Sequence, residues 1–120
     1  MQLYESGEMY LETILNLSET MENVRSIDIV RKMGFSKPSV SNAVKNLREG
    51  GFVEVSSEGY ITLTESGRTV AEKIYERHTI LTEGLKMLGV PYETASEDAC
   101  KIEHVISDVT FEAIKRRVRG

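Results

Sequence analysis

Only one cysteine, Cys100, occurs in the 120 residues, so no disulfide can form within the chain. Stability must come from packing, and a reducing compartment, the cytoplasm, is expected. No run of residues approaches the roughly 18 consecutive apolar positions that a membrane span requires. No basic leader followed by an apolar run and a cleavage site opens the chain, so neither secretion nor a membrane partner is expected. No nucleophile stands beside a recognisable base, so the protein is not expected to be an enzyme or to turn over a small-molecule substrate. Internal repeats and low-complexity linkers are also missing, which favours one extended body or an obligate dimer over two independent domains.

What is present is a 40% apolar content, enough for a core, and a formal net charge of -4. A uniformly acidic surface would repel phosphates, but the distribution matters more than the sum. Between Arg31 and Arg48 stand Arg31, Lys32, Lys37, Lys45 and Arg48 with no acidic residue among them.

Hydrophobic periodicity predicts a helix from about Glu5 to Ser18 on Met9, Leu11, Ile14, Leu15 and Leu17. A connection over Asn23–Arg25 precedes a helix capped by Ser26, with Asp28 in its first turn, Ile27, Val30 and Met33 inward, and Gly34 as its stop. A third helix, Ser36 to Arg48, starts on a serine cap with Pro38 in the first turn and turns Val40, Ala43, Val44 and Leu47 to one side. Phe52–Val55 and Tyr60–Leu63 read as a β-hairpin around Ser56–Gly59, too small to stand alone. Thr64 caps a long helix to Leu88 with the seam Val70, Ile74, His78, Leu81, Leu85 and Leu88, ended by Gly89 and Pro91. An acidic piece, Tyr92 to Asp98, leads to a helix over Ala99–Ile106. A last helix from Ser107 carries Val109, Phe111, Ile114 and Val118 and ends in the basic cluster Lys115, Arg116, Arg117 and Arg119.

The expected fold is therefore mainly α with a small β-hairpin. Two short helices across a tight turn, with a hairpin behind them, are the parts of a winged helix-turn-helix, which makes double-stranded operator DNA the expected partner. The third helix is the candidate reader. Ser39, Ser41 and Asn42 offer groups for base edges, Lys37 and Lys45 offer charge for phosphates, and Arg31 and Lys32 assist. An ordinary polar helix face would not account for the glycine stop and the hairpin that frame this segment. Glu54 and Glu58 sit awkwardly in a wing, since they would repel phosphates.

A second constellation lies near the C-terminus. Cys100, Glu103 and His104 are spaced i, i+3, i+4, so one helical face would present thiolate, carboxylate and imidazole together. That set suits Fe(II), Co(II), Ni(II) or Zn(II) and disfavours magnesium and calcium. One helical turn rarely completes a coordination sphere. Met9 and Glu12, three apart on the first helix, and His78 on the long helix are the further candidates.

These residues resemble the diphtheria toxin repressor and manganese transport regulator family of metal-dependent transcriptional repressors, over almost the full length. The resemblance is carried by Glu8–Glu12, by Lys37, Pro38, Ser39 and Val40, by Leu63–Gly67, by Arg77 and His78, and most specifically by Glu97–Asp108. It implies a winged helix-turn-helix over residues 1–67 and a helical metal-binding and dimerisation domain over 68–120, acting as a homodimer. Leu81, Leu85, Leu88, Phe111, Ile114 and Val118 supply the apolar surface that dimerisation would cover.

In the family's iron-sensing branch the primary metal site corresponds to Met9, Cys100, Glu103 and His104. The manganese branch has carboxylates at the first two positions and agrees at Glu12, His78, Glu103 and His104. The softer ligands here make Fe(II) the expected activator, with Mn(II), Co(II), Ni(II) or Zn(II) as alternatives. The iron branch's ancillary site keeps its histidine at His78. Its carboxylate falls at Thr82 and its second histidine at Ser96, so a single ion is expected, though adjacent Glu83 offers a partial substitute and a two-ion arrangement stays open. With the sequence ending at Gly120, the short form without the SH3-like C-terminal domain is expected. The basic tail reads as a solvated helix end. Rival readings are a winged-helix regulator answering to a small organic molecule or to redox at Cys100, and a metalloenzyme or metal-storage protein.

Overall fold

The structure, a computed structural model, describes residues 5–120. Its elements run α1 (Glu5–Thr20), α2 (Ser26–Met33), α3 (Lys37–Glu49), β1 (Val53–Val55), β2 (Ile61–Leu63), α4 (Glu65–Met87), α5 (Tyr92–Ile102) and α6 (Asp108–Arg119). The protein is mainly helical with one antiparallel hairpin, as its periodicities imply. Among the described residues no helix is long and apolar enough to cross a membrane. The chain forms two compact units, one through Glu72 and one from Lys73 to Gly120, with the boundary inside α4.

The first unit closes on a single apolar core. Leu11, Ile14, Ile29 and Val40 are fully buried, and Val24, Leu47, Val53 and Ile61 nearly so. The helix-turn-helix follows from local chemistry. Gly34 adopts a left-handed φ of 75° and its N–H closes α2 on the Val30 carbonyl at 2.8 Å. Ser36 then caps α3, its hydroxyl oxygen accepting from the Ser39 N–H at 3.2 Å. At the start of α2 the cap differs from the expected one: Ser26 is already helical. Arg25 holds the cap position, and its N–H donates to the Asp28 carboxylate at 2.9 Å.

The hairpin pairs Val53 with Leu63 and Val55 with Ile61. It gains a third rung where sequence reading saw only a connection: Val24 bridges Ile61, whose N–H donates to the Val24 carbonyl at 2.7 Å. That bridge and the core anchor a two-stranded ribbon that would be marginal by itself. The return into α4 is tight. Thr64 caps Gly67 N–H at 3.1 Å and donates to the Gly51 carbonyl at 2.6 Å. A Cβ on Gly67 would stand 2.0 Å from the Phe52 carbonyl oxygen, so only glycine fits there.

In the second unit Ile74, Ile80, Leu81, Ala95, Ala99 and Phe111 are buried, alongside the polar side chains of Arg77, Thr82 and Glu103. Residues 92–102 form one helix rather than an acidic connection followed by a later helix. Its buried positions are the alanines Ala95 and Ala99, which carry almost no hydrophobic signal. Ser107 caps α6 by accepting from Thr110 N–H at 3.2 Å.

Candidate metal centre and nucleic-acid interface

The expected helix across Cys100, Glu103 and His104 is corrected by the structure. α5 stops at Ile102, and Glu103 occupies the cap with its N–H on the Ala99 carbonyl at 2.9 Å. The chain then tightens, with the N–H groups of Val105 and Ile106 both on the Ile102 carbonyl at 3.0 Å. Glu103 and His104 therefore lie on a turn, and their environment differs from that of Cys100. Cys100 is exposed on α5, whereas the side chains of Glu103 and His104 are 0% exposed.

A buried carboxylate needs compensation. One Glu103 oxygen, Oε2, has it: His78 Nδ1 of α4 lies at 3.0 Å. The other, Oε1, is buried with no hydrogen-bond partner among the described residues and faces His104 Nε2 at 3.4 Å. A carboxylate oxygen and an imidazole nitrogen facing each other at that separation, out of water, fit a shared divalent cation.

His78 is held on both sides. With Nδ1 carrying the proton toward Glu103, Nε2 accepts from Ser96, whose Oγ lies at 3.4 Å. Thr82 donates to the His78 backbone carbonyl at 2.7 Å. Thr82 and Ser96, the positions where the resemblance implies ancillary ligands, both hydrogen-bond to His78, Thr82 at its backbone carbonyl and Ser96 at its ring.

Sequence reading gave Arg77 no role. It is 6% exposed, and its Nη1 donates to the carbonyls of Glu103 at 3.1 Å and Ile106 at 2.9 Å. Its Nη2 pairs with the Asp108 carboxylate, and the guanidinium lies 5.4 Å from the centre of the Phe111 ring. Phe111, expected with the dimer seam, is buried here. The hydrogen bond and charge of Lys73 at 3.2 Å, then the charge and hydrogen bond of Arg77, hold the Asp108 carboxyl below the usual aspartate range. The partners sit 26 to 31 residues from Arg77, a separation that leaves no periodic trace in the sequence.

In the first unit, Met9 and Glu12 are half-buried on α1, three residues apart. In α3, Val40, Val44 and Leu47 face inward, so helical geometry turns Asn42 and Lys45 outward. Lys37, Ser39, Ser41, Asn42 and Lys45 are exposed, as are Arg31 and Lys32 on the last turn of α2. Ser39 is partly engaged, its hydroxyl oxygen accepting from the Ser36 hydroxyl at 2.9 Å. Lys37 and Ser41 also line an open cleft of about 300 Å³ with Ser26, Ile27 and Val30. Glu54 is exposed on the wing. Glu58 at its tip accepts from the Ser57 hydroxyl at 3.1 Å, a contact that holds its carboxyl ionised and below the usual range.

A reading helix framed by a turn and a hairpin defines a winged-helix DNA-binding regulator. Comparison with known proteins narrows the class. Residues 2–60 match the family model described as iron dependent repressor, N-terminal DNA binding domain, and residues 64–119 match iron dependent repressor, metal binding and dimerisation domain. An uncharacterised HTH-type transcriptional regulator of Methanocaldococcus jannaschii is 36% identical over 113 residues, covering 92% of this chain and 90% of that protein. The iron-dependent repressor of Mycobacterium tuberculosis is 31% identical over 118 residues, covering 98% of this chain and 50% of the repressor. Among solved structures, a manganese-dependent transcriptional repressor in complex with manganese superposes with a TM-score of 0.86 at 28% identity, over 94% of this chain and 52% of the other. The chain thus spans about half the length of these last two proteins.

The chain belongs to the iron-dependent repressor family of metal-dependent transcriptional regulators. The functions its two family models describe are DNA binding, metal binding and dimerisation, none of them catalytic.

Proposed function

We propose that the chain is a cytoplasmic metal-activated repressor that binds palindromic operator DNA as a homodimer and controls metal homeostasis genes, with Fe(II) as its activating ion. The observation that carries this reading is the buried Glu103 Oε1, without a hydrogen-bond donor among the described residues and 3.4 Å from His104 Nε2. When bound, a divalent cation supplies the positive charge that this carboxylate lacks. Glu103 and His104 bind it, and His78 orients the carboxylate through Oε2. Met9, Cys100 and Glu12 are the further donors. The thioether of Met9 and the thiolate of Cys100 favour Fe(II) over Mn(II), in keeping with the iron-dependent relative. A manganese-responsive regulator is the second reading. It draws on the exposure of Cys100, because a sphere without that thiolate is mostly oxygen and imidazole, and on the manganese-bound solved relative.

Operator contact falls to Asn42, Ser41 and Ser39 at base edges and to Lys37, Lys45, Arg31 and Lys32 at phosphates. Dimerisation uses the apolar groove of about 350 Å³ lined by Leu81, Leu85, Leu88, Ile114 and Val118 among others, which a second copy would cover. In this mechanism binding of the ion would shift the population toward the operator-competent dimer, and the gain in operator affinity would be bounded by the ion's preference for that state.

The test is operator binding titrated anaerobically with Fe(II), Mn(II), Co(II) and Zn(II) at fixed dimer concentration, after elemental analysis of the purified protein. His104→Ala should lose metal-stimulated binding and still dimerise. Metal stimulation surviving in that variant would refute the assignment. A protein that binds operator equally with and without ions would instead point to a small organic effector or to redox at Cys100.

A further inference from the structure

Arg77 and His78 are neighbours in α4, and both grip Glu103. His78 meets its carboxylate, while Arg77 meets its backbone carbonyl at 3.1 Å and the Ile106 carbonyl at 2.9 Å. The arginine is itself held by Asp108 and by the Phe111 ring. A buried guanidinium has a fixed planar fork of donors, and here it ties together both ends of the turn that presents Glu103 and His104, residues 103 to 106. The turn's own backbone bonds, from the N–H groups of Glu103, Val105 and Ile106, run back to the end of α5, so Arg77 and His78 add the restraints that tie it to α4.

We infer that Arg77 is a positioning residue for metal binding: it fixes the Glu103–Ile106 turn before the ion arrives, so that Glu103 Oε1 and His104 Nε2 need no reordering to receive it. The inference rests on the reading of Glu103 and His104 as ligands. Lysine cannot replace the fork, because an ammonium is a single point charge that cannot span two carbonyls and a carboxylate in one plane.

The test compares wild type, Arg77→Lys and Asp108→Asn as full chains, with Mn(II) affinity by calorimetry and Co(II) binding by its visible d–d spectrum. Circular dichroism and thermal melting of the metal-free proteins check the fold. Arg77→Lys should weaken Mn(II) binding by about ten- to a hundredfold, the usual range for residues that support a ligand, and should change the Co(II) band shape. Asp108→Asn, which leaves the arginine in place and loosens its anchor, should weaken binding less, with a smaller change of the same bands. A folded Arg77→Lys protein with wild-type affinity and an unaltered Co(II) spectrum would overturn the inference while leaving the metal assignment intact. Wild-type protein that binds neither ion overturns both. If Arg77→Lys fails to fold, Asp108→Asn decides, and an unchanged affinity and spectrum there count against the inference.

Discussion

The two units are stabilised in different ways. Through Glu72 the chain surrounds a contiguous apolar cluster contributed by every helix and strand of that unit. From Lys73 onward the buried set includes an arginine, a threonine and a glutamate, and most of the large apolar side chains that stay exposed are found there: Tyr75, Met87, Leu88, Tyr92, Val105 and Val109. The first unit satisfies its own sequence. The second leaves a carboxylate oxygen without a hydrogen-bond donor among the described residues and an apolar groove open, which is what a module completed by an ion and a partner copy would show.

The largest effect should come from truncating the first unit's core. Leu11 is 0% exposed, so Leu11→Ala should cost about 2–5 kcal/mol, a large part of the ~5–15 kcal/mol typical of a whole domain. Urea denaturation would read this as a lower midpoint. Leu88, 80% exposed on the second unit, should behave oppositely. Leu88→Asp should move monomer stability by no more than about 0.5 kcal/mol yet raise the dimer dissociation constant tenfold or more, ~1.4 kcal/mol, by analytical ultracentrifugation. Equal dimer constants in Leu88→Asp and wild type would break the comparison, because the groove would then need no second copy.

Next in size is the reader helix. If, as proposed, its amide reads a base rather than neutralising a phosphate, Asn42→Ala should cost about 1–3 kcal/mol of operator affinity and weaken binding to random duplex less. Equal losses on both duplexes in a gel-shift titration would assign Asn42 to scaffold.

The contrast between units also explains how much of each is legible in the amino-acid sequence. The first unit's helices announce themselves because Leu11, Ile14, Val40, Val44 and Leu47 recur at helical spacing and are the residues that are buried. The hairpin was legible from its β-branched runs, but its third rung was not, because Val24 looks like any apolar residue in a short connection. In the second unit α5 was half missed, since Ala95 and Ala99 carry its buried side. The ligand candidates Glu103 and His104 were visible from spacing and resemblance. Their placement on a turn, and the dependence of that turn on Arg77, were not, because long-range hydrogen bonds from an arginine leave no pattern in neighbouring residues.

The smallest effect sharpens the same contrast at the second unit's edge. Asp108 opens α6, where a negative charge is favoured by the helix N-terminus, and Lys73 and Arg77 hold its carboxyl below the ordinary aspartate value. A group with a depressed folded value contributes stability that is fully present above its unfolded value and is lost as pH falls through the folded one. Its side chain is 72% exposed, so solvent screening keeps the contribution modest. Asp108→Asn should therefore lower the melting temperature of the metal-free protein slightly at pH 6, and the gap to wild type should close as the pH is taken below about 4, near the ordinary aspartate value. A gap that persists unchanged in acid would mean that the difference between the two side chains does not come from the carboxylate charge, and that Asp108 holds Arg77 through its hydrogen bond rather than its ion pair.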